Sequence, residues 1–197
     1  MQSQHPTIPL REITLEEWFA LDEDEEGELV NGRLEEEEVA DAIHELVVTW
    51  LAAVFRNWLR GRGGVVLGSD AKYAVGAGHG RKPDLSVYLP GSPKPPGRGL
   101  IRIPPDIAVE VVSRSPKDER RDRIFKTDEY AAFGVRFYWL INPALSTLEV
   151  FELLPSKRYQ RVLAVTNGNV PSVPGCEGMT LDLDDVWGEV QGLAPEG

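Results

Sequence analysis

The sequence predicts an α/β fold in which a mixed β-sheet is flanked by helices, with an N-terminal helix and hairpin, all in one domain spanning residues 1–197. Length is the first reason: 197 residues are enough to bury one sizeable core and too few for two ordinary domains. Composition is the second, since 42% hydrophobic and 27% charged residues place the chain with globular proteins rather than disordered or fibrous ones. The third is a change of hydrophobic period, helical from Ala40 to Leu59 and strand-like from Gly64 onward, which implies a sheet packed against helices. The expected division is helix and hairpin in 1–38, core in 39–152, and C-terminal strands and tail in 153–197.

Thr14 followed by Glu17 is a capping-box pattern, so Leu15, Trp18 and Phe19 open a short amphipathic helix that ends in the acidic run Asp22 to Glu26. Glu28-Leu29-Val30 and Arg33-Leu34-Glu35 flank Asn31-Gly32, a dipeptide that tolerates the positive φ angles of a type I′ hairpin turn. A long helix is expected from Ala40 to Leu59. At about 100° per residue, Ile43, Val47, Trp50, Leu51, Val54 and Trp58 share one arc, with Glu45, Thr49 and Arg56 opposite. Strands are expected at Val65 to Leu67, Ala71 to Val75, Leu85 to Leu89 and Ile107 to Ser113. A charged helix comes next, then strands at Arg136 to Ile141 and Leu148 to Glu152. The Pro/Gly-rich Pro90 to Gly99 reads as a loop between strands, because neither side has enough secondary structure to stand alone.

The lone Cys176 permits no internal disulfide and no cysteine-rich zinc site. No run approaches the roughly 20 apolar residues of a membrane span, and Met1 to Leu10 lacks the pattern of a signal peptide. A cytoplasmic protein without membrane insertion is the expectation. The net charge of −11 argues against loose, sequence-independent binding to nucleic acid, which depends on Lys and Arg neutralising phosphates. The charge is uneven: acids crowd residues 1–45, opposed only by Arg11 and Arg33, whereas bases outnumber acids from Arg98 to Lys126.

Several motifs are set aside. Asp22, Asp24, Glu26 and Gly27 imitate a calcium-binding loop, but Arg33 stands where a bidentate Glu belongs. His44-Glu45 begins like a zinc-protease helix, and Val48 replaces its second histidine. Gly76, Gly78 and Gly80 lack the following helix of a phosphate-binding loop and read as a flexible turn. With only His5, His44 and His79, metal chemistry falls to carboxylates.

Glu110 interrupts Ile107-Ala108-Val109 and Val111-Val112, a run otherwise fit for a buried strand, and a buried carboxylate needs a partner. Asp84 follows Pro83 at the start of a second apolar strand. Two such carboxylates, with a backbone carbonyl and waters, form the oxygen-rich environment that Mg²⁺ favours. The alternative is a pair of structural carboxylates, each bridged to Arg or capping a turn.

Arg81-Lys82-Pro83-Asp84, Ile107 to Ser113, Asp122, Lys126, Tyr130, Gly134-Val135 and Tyr138-Trp139-Leu140 together resemble the Uma2 family of restriction-like endonucleases. Glu28 to Gly32, His44 and the Pro174 to Trp187 tail extend the resemblance over most of the chain. It implies a restriction-endonuclease-like core of the PD-(D/E)XK type, in which an Asp and a Glu on neighbouring strands bind metal and a Lys assists. The chain departs from that pattern at Val112, where the superfamily places its lysine, and Lys126 on the following helix takes the matching position. The plain alternative for Lys126 is an exposed i to i+4 pair with Asp122.

The resemblance implies a Mg²⁺- or Mn²⁺-dependent endonuclease acting on nucleic acid, DNA foremost; duplex cutting would require two active sites and so favours a homodimer. Asp84, Glu110 and the Val111 carbonyl would hold the metal, Lys126 would assist, and His44 and Glu28 would stand behind them. Arg114, Lys117, Arg120, Arg121 and Arg123 are the candidates for gripping the phosphate backbone, or else an ordinary solvated helix start. The competing expectation is a non-catalytic acidic binding or assembly module on the same fold, supported by the net charge and by Val112.

Overall fold

The computed structural model describes residues 12–21, 27–35, 40–112 and 119–194. Helix α1 (Leu15–Phe19) starts from the expected capping box: the Glu17 N–H donates to Thr14 Oγ1, and the Thr14 N–H donates to the Glu17 carboxylate. Strands β1 (Glu28–Val30) and β2 (Arg33–Glu35) form the hairpin, with Asn31 at φ 51° and Gly32 at φ 73°. Helix α2 (Ala42–Leu59) is capped by the Asp41 carboxylate, which accepts from the His44 N–H.

The buried stripe of α2 is Val47, Leu51, Phe55 and Leu59. Trp50 and Trp58, expected on the core-facing arc, lie at its edge instead. There their indole N–H groups donate to the Asp185 carboxylate and the Glu177 carbonyl, so each ring packs on the core while its polar edge is satisfied.

The main sheet has six strands in the order β10 (Tyr159–Val165), β9 (Thr147–Leu153), β8 (Phe137–Asn142), β7 (Ile107–Val111), β6 (Leu85–Tyr88) and β3 (Val65–Leu67). It is mixed: β7 and β8 are parallel and every other neighbouring pair is antiparallel. A parallel pair needs a crossover. Here it includes a π-helical segment, Arg121–Lys126, that continues into the α-helix Thr127–Phe133. On one face of the sheet, Ile107, Val109, Val111, Phe137 and Trp139 pack against α2 and the C-terminal helix Leu183–Gln191. On the other, Ala108, Val112, Tyr138 and Leu140 pack against Tyr130 of the crossover helix and Tyr73.

A second, antiparallel sheet runs β2-β1-β5-β4, with β4 at Tyr73–Gly76 and β5 at His79–Arg81. This corrects the reading of Gly76 to Gly80 as a flexible turn. Gly78 turns the hairpin at φ 70°, and Gly80 lies in β5 under the Trp18 ring, where a Cβ would collide with it. The tail beyond residue 170 likewise carries a nine-residue helix, Leu183–Gln191, capped by Asp182. Among the described residues no helix is long and apolar enough to cross a membrane. The acidic run Asp22 to Glu26 lies outside the described residues, and so do Arg114 and Lys117.

Candidate active site

Strand alternation sends Ile107, Val109 and Val111 to the α2 face and Ala108 and Val112 to the opposite one, so Glu110 faces the crossover helix. It is 3% exposed. Its Oε1 accepts from the Tyr130 hydroxyl at 2.6 Å and its Oε2 from Lys126 Nζ at 2.9 Å. Asp84, at the entry to β6, reaches the end of β7: its Oδ2 accepts from the Val111 N–H at 2.6 Å and lies 3.2 Å from His44 Nε2. The antiparallel pairing of β6 with β7 thus brings both carboxylates together. His44 joins them from the first turn of α2.

Lys126 is 2% exposed, which corrects the plain reading of a solvated pair with Asp122. Besides Glu110, its ammonium lies 3.4 Å from Glu28 Oε1 and 3.5 Å from Asp122 Oδ1. Asp122, Lys126 and Tyr130 recur at four-residue intervals and are all buried. The π winding opens the carbonyl ladder between them, a rare feature that is frequent at functional sites. The Tyr138 hydroxyl donates to the Asp122 carbonyl at 2.9 Å, and the Thr127 hydroxyl donates to the Asp122 and Arg123 carbonyls.

Glu28 is buried as well, at 1% exposure. Register explains its position: Leu29 pairs with Gly80 across β1 and β5, setting Glu28 beside Arg81. Arg81 Nη1 donates to Glu28 Oε2 at 2.7 Å, and its Nη2 to Glu129 Oε1 at 2.9 Å. The Lys82 N–H donates to Glu28 Oε1 at 3.0 Å. Arg81, Glu129, Asp122 and Tyr130 are thus part of the site's scaffold, and the sequence alone assigned them no role. The four-residue spacing of Asp122, Lys126 and Tyr130 was a visible signal. For Arg81 the one signal was its place in the Arg81-Lys82-Pro83-Asp84 motif, because its burial depends on cross-strand pairing.

The cationic candidates divide. Arg123 Nη1 donates to Glu149 at 2.6 Å and its Nε to Glu119 at 3.0 Å. Arg121 Nε lies 3.9 Å from Glu28 and 3.7 Å from Asp122. Arg120 is exposed on the first turn of the crossover.

The electrostatics have a clear sense. Burial pushes the Glu110 carboxyl well above its ordinary range, and the like charges of Asp84, Asp122 and Glu28 add to this against the pull of Lys126. Burial also lifts Asp122, with Asp84 and Glu28 repelling. Burial opposes a charge on Lys126, but Glu110, Glu28 and Asp122 outweigh it and hold the ammonium well above its ordinary range. For His44, burial is outweighed by the Asp84 carboxylate, so its pKa rises.

Such a crowd of carboxylates around one ammonium is relieved by a further cation. Asp84 and Glu110 offer the hard oxygen donors that Mg²⁺ and Mn²⁺ take. Among the described residues no group of three or more His, Cys, Asp or Glu is arranged to hold a metal ion. An ion here would therefore rest on one or two carboxylates and complete its shell with water, as Mg²⁺ commonly does. On donor chemistry and charge the residues fit such an ion.

Residues 15–184 match the model of the Uma2 family, described as "Putative restriction endonuclease". Among solved structures, the chain is similar to "a putative nuclease belonging to DUF820" from Anabaena variabilis, at 18% identity and a TM-score of 0.71, covering 90% of this chain and 99% of that one. No curated protein matches the chain.

Proposed function

The chain belongs to the Uma2 family, and we propose that it is a Mg²⁺- or Mn²⁺-dependent endonuclease that hydrolyses phosphodiester bonds of nucleic acid, with DNA the expected substrate. One observation carries the proposal: Lys126, from the crossover helix, lies 2.9 Å from Glu110, on the strand whose next N–H binds Asp84. A lysine from the crossover helix, in place of one at position 112, thereby meets Glu110 directly, while the strand that bears Glu110 meets Asp84.

Asp84 and Glu110 would hold the ion, with the Val111 carbonyl as a further oxygen. The ion would supply Lewis acidity toward the phosphate and a lowered pKa for its bound water. Lys126 presents a retained positive charge that can stabilise the anion developing at phosphorus. His44, through Nε2, fixes the Asp84 carboxylate. Glu28, itself pinned by Arg81, keeps Lys126 from swinging away. Cutting both strands of a duplex requires two such sites, which a two-fold homodimer would supply.

The test is cleavage of supercoiled plasmid with Mn²⁺ or Mg²⁺ by wild type, Asp84→Ala, Glu110→Ala and Lys126→Ala, with folding followed by circular dichroism. Each substitution is expected to lower the rate by about 10²-fold or more. Wild-type cleavage by both folded carboxylate variants would sink the mechanism.

A second reading, a non-catalytic acidic binding or assembly module, is favoured by the net charge of −11 and by the attachment of Arg123 to Glu149 and Glu119. It requires that Mn²⁺ leave the melting temperature unchanged.

A further inference from the structure

Asp122 has no role in the mechanism above, yet it is 3% exposed and its Oδ1 has no hydrogen-bond partner among the described residues. Burying a carboxylate in this way is costly. Its backbone is held by the hydroxyls of Tyr138 and Thr127. Its Oδ1 lies 3.5 Å from Lys126 Nζ.

Lys126 has three N–H donors and three carboxylates within reach, and these are not equivalent. Glu110 is the nearest, but its Oε1 is taken by Tyr130, so a cation engaging Glu110 competes with Lys126 for Oε2. Glu28 accepts from Arg81 on Oε2 and from the Lys82 N–H on Oε1. The Asp122 Oδ1 is the acceptor within reach that no hydrogen bond occupies.

We infer that Asp122 is a positioning residue: it is the acceptor to which Lys126 turns when a divalent cation engages Glu110, keeping the ammonium beside the site. This rests on the metal-dependent reading of Asp84 and Glu110. Asp122 acts through Lys126, and the two must therefore be coupled in cation binding.

The test is calorimetric titration of Mn²⁺ into the full chain as wild type, Asp122→Asn, Lys126→Met and the double variant. Asp122→Asn is expected to bind Mn²⁺ about ten-fold more weakly than wild type, because engaging Glu110 then leaves the buried ammonium facing a neutral amide in place of the free carboxylate, with only the already engaged Glu28 to balance its charge. In the Lys126→Met background the same substitution is expected to change affinity by less than about two-fold, since no ammonium remains to be held. Equal affinity of wild type and Asp122→Asn overturns the inference. A ten-fold loss that persists in the Lys126→Met background also overturns it, because Asp122 would then act on the ion directly. A wild type that binds no Mn²⁺ removes the metal site itself and this inference with it, a result distinct from the other two. Thermal melting reports folding, and Lys126→Gln replaces Lys126→Met if the latter does not fold.

Discussion

Replacing Arg81 with Met isolates what burial does to an ion pair. Arg81 is 1% exposed, and its guanidinium binds Glu28, also 1% exposed, at 2.7 Å and Glu129 through two further hydrogen bonds. At an effective dielectric of about 20, each such contact is worth on the order of 5 kcal/mol before desolvation is charged against it. Desolvation is incurred for both ions in the intact protein, so Arg81→Met loses the attraction and leaves Glu28 buried with less compensation. The expected cost is about 3–5 kcal/mol, which for a domain of this size lowers the melting temperature by roughly 6–20 °C.

Arg102 provides the control. Its Nη2 lies 2.5 Å from Glu16 Oε1, as close as any contact Arg81 makes, but the two side chains are 57% and 72% exposed. Arg102→Met is expected to cost about 0–1 kcal/mol. Arg81→Lys should fall between, keeping the charge and losing the fork that spans two carboxylates. Urea unfolding followed by tryptophan fluorescence measures all three. If Arg81→Met costs no more than Arg102→Met, the buried network contributes nothing and the reasoning fails.

Gly80→Ala places a Cβ against the buried Trp18 ring, which is tied by its N–H to the Gly27 carbonyl; an overpacking loss of about 1–3 kcal/mol is expected in the same assay, and a loss under about 0.5 kcal/mol would mean that the ring moves freely. Thr14→Ala removes a capping-box acceptor from α1 and should cost about 1 kcal/mol, with no change in urea midpoint counting against the cap. Burial pushes the Cys176 thiol up to about 12, so in the folded protein it should resist thiol reagents at pH 8 that label it at once in denaturant. Because its folded pKa exceeds the unfolded value of about 8.5, its stabilising contribution is complete below that pH and declines as pH rises toward 12. A Cys176→Ala variant should show a shallower loss of stability between pH 8 and 10, and an identical slope would refute the assignment.

What was legible in the sequence was local. Asn31-Gly32 carries its own turn chemistry, Thr14 and Glu17 cap one another, and Glu110 stands out because a carboxylate inside an apolar run has no other excuse. The strand at His79–Arg81 was not legible, since glycines at 76, 78 and 80 look like a loop until β1 and β4 pair on either side and Trp18 covers the one in the middle. The C-terminal helix hid behind its length of nine residues and the glycine within it, which lower any propensity reading.

The site divides along the same line. Asp84 and Glu110 could be found from where they sit in their own strands. Helix geometry alone could not tell Lys126 from a solvated pair with Asp122, because both readings predict the same four-residue spacing, and it was the family resemblance that favoured the site. What separates them is that the crossover between β7 and β8 lays this helix on the Glu110 face of the sheet. Arg81 and Glu28 depend on a register between strands some fifty residues apart in the chain. The scaffold that orients the lysine therefore comes from the second sheet, and substitutions there, Arg81→Met first among them, should disturb the lysine without touching either carboxylate expected to hold the metal.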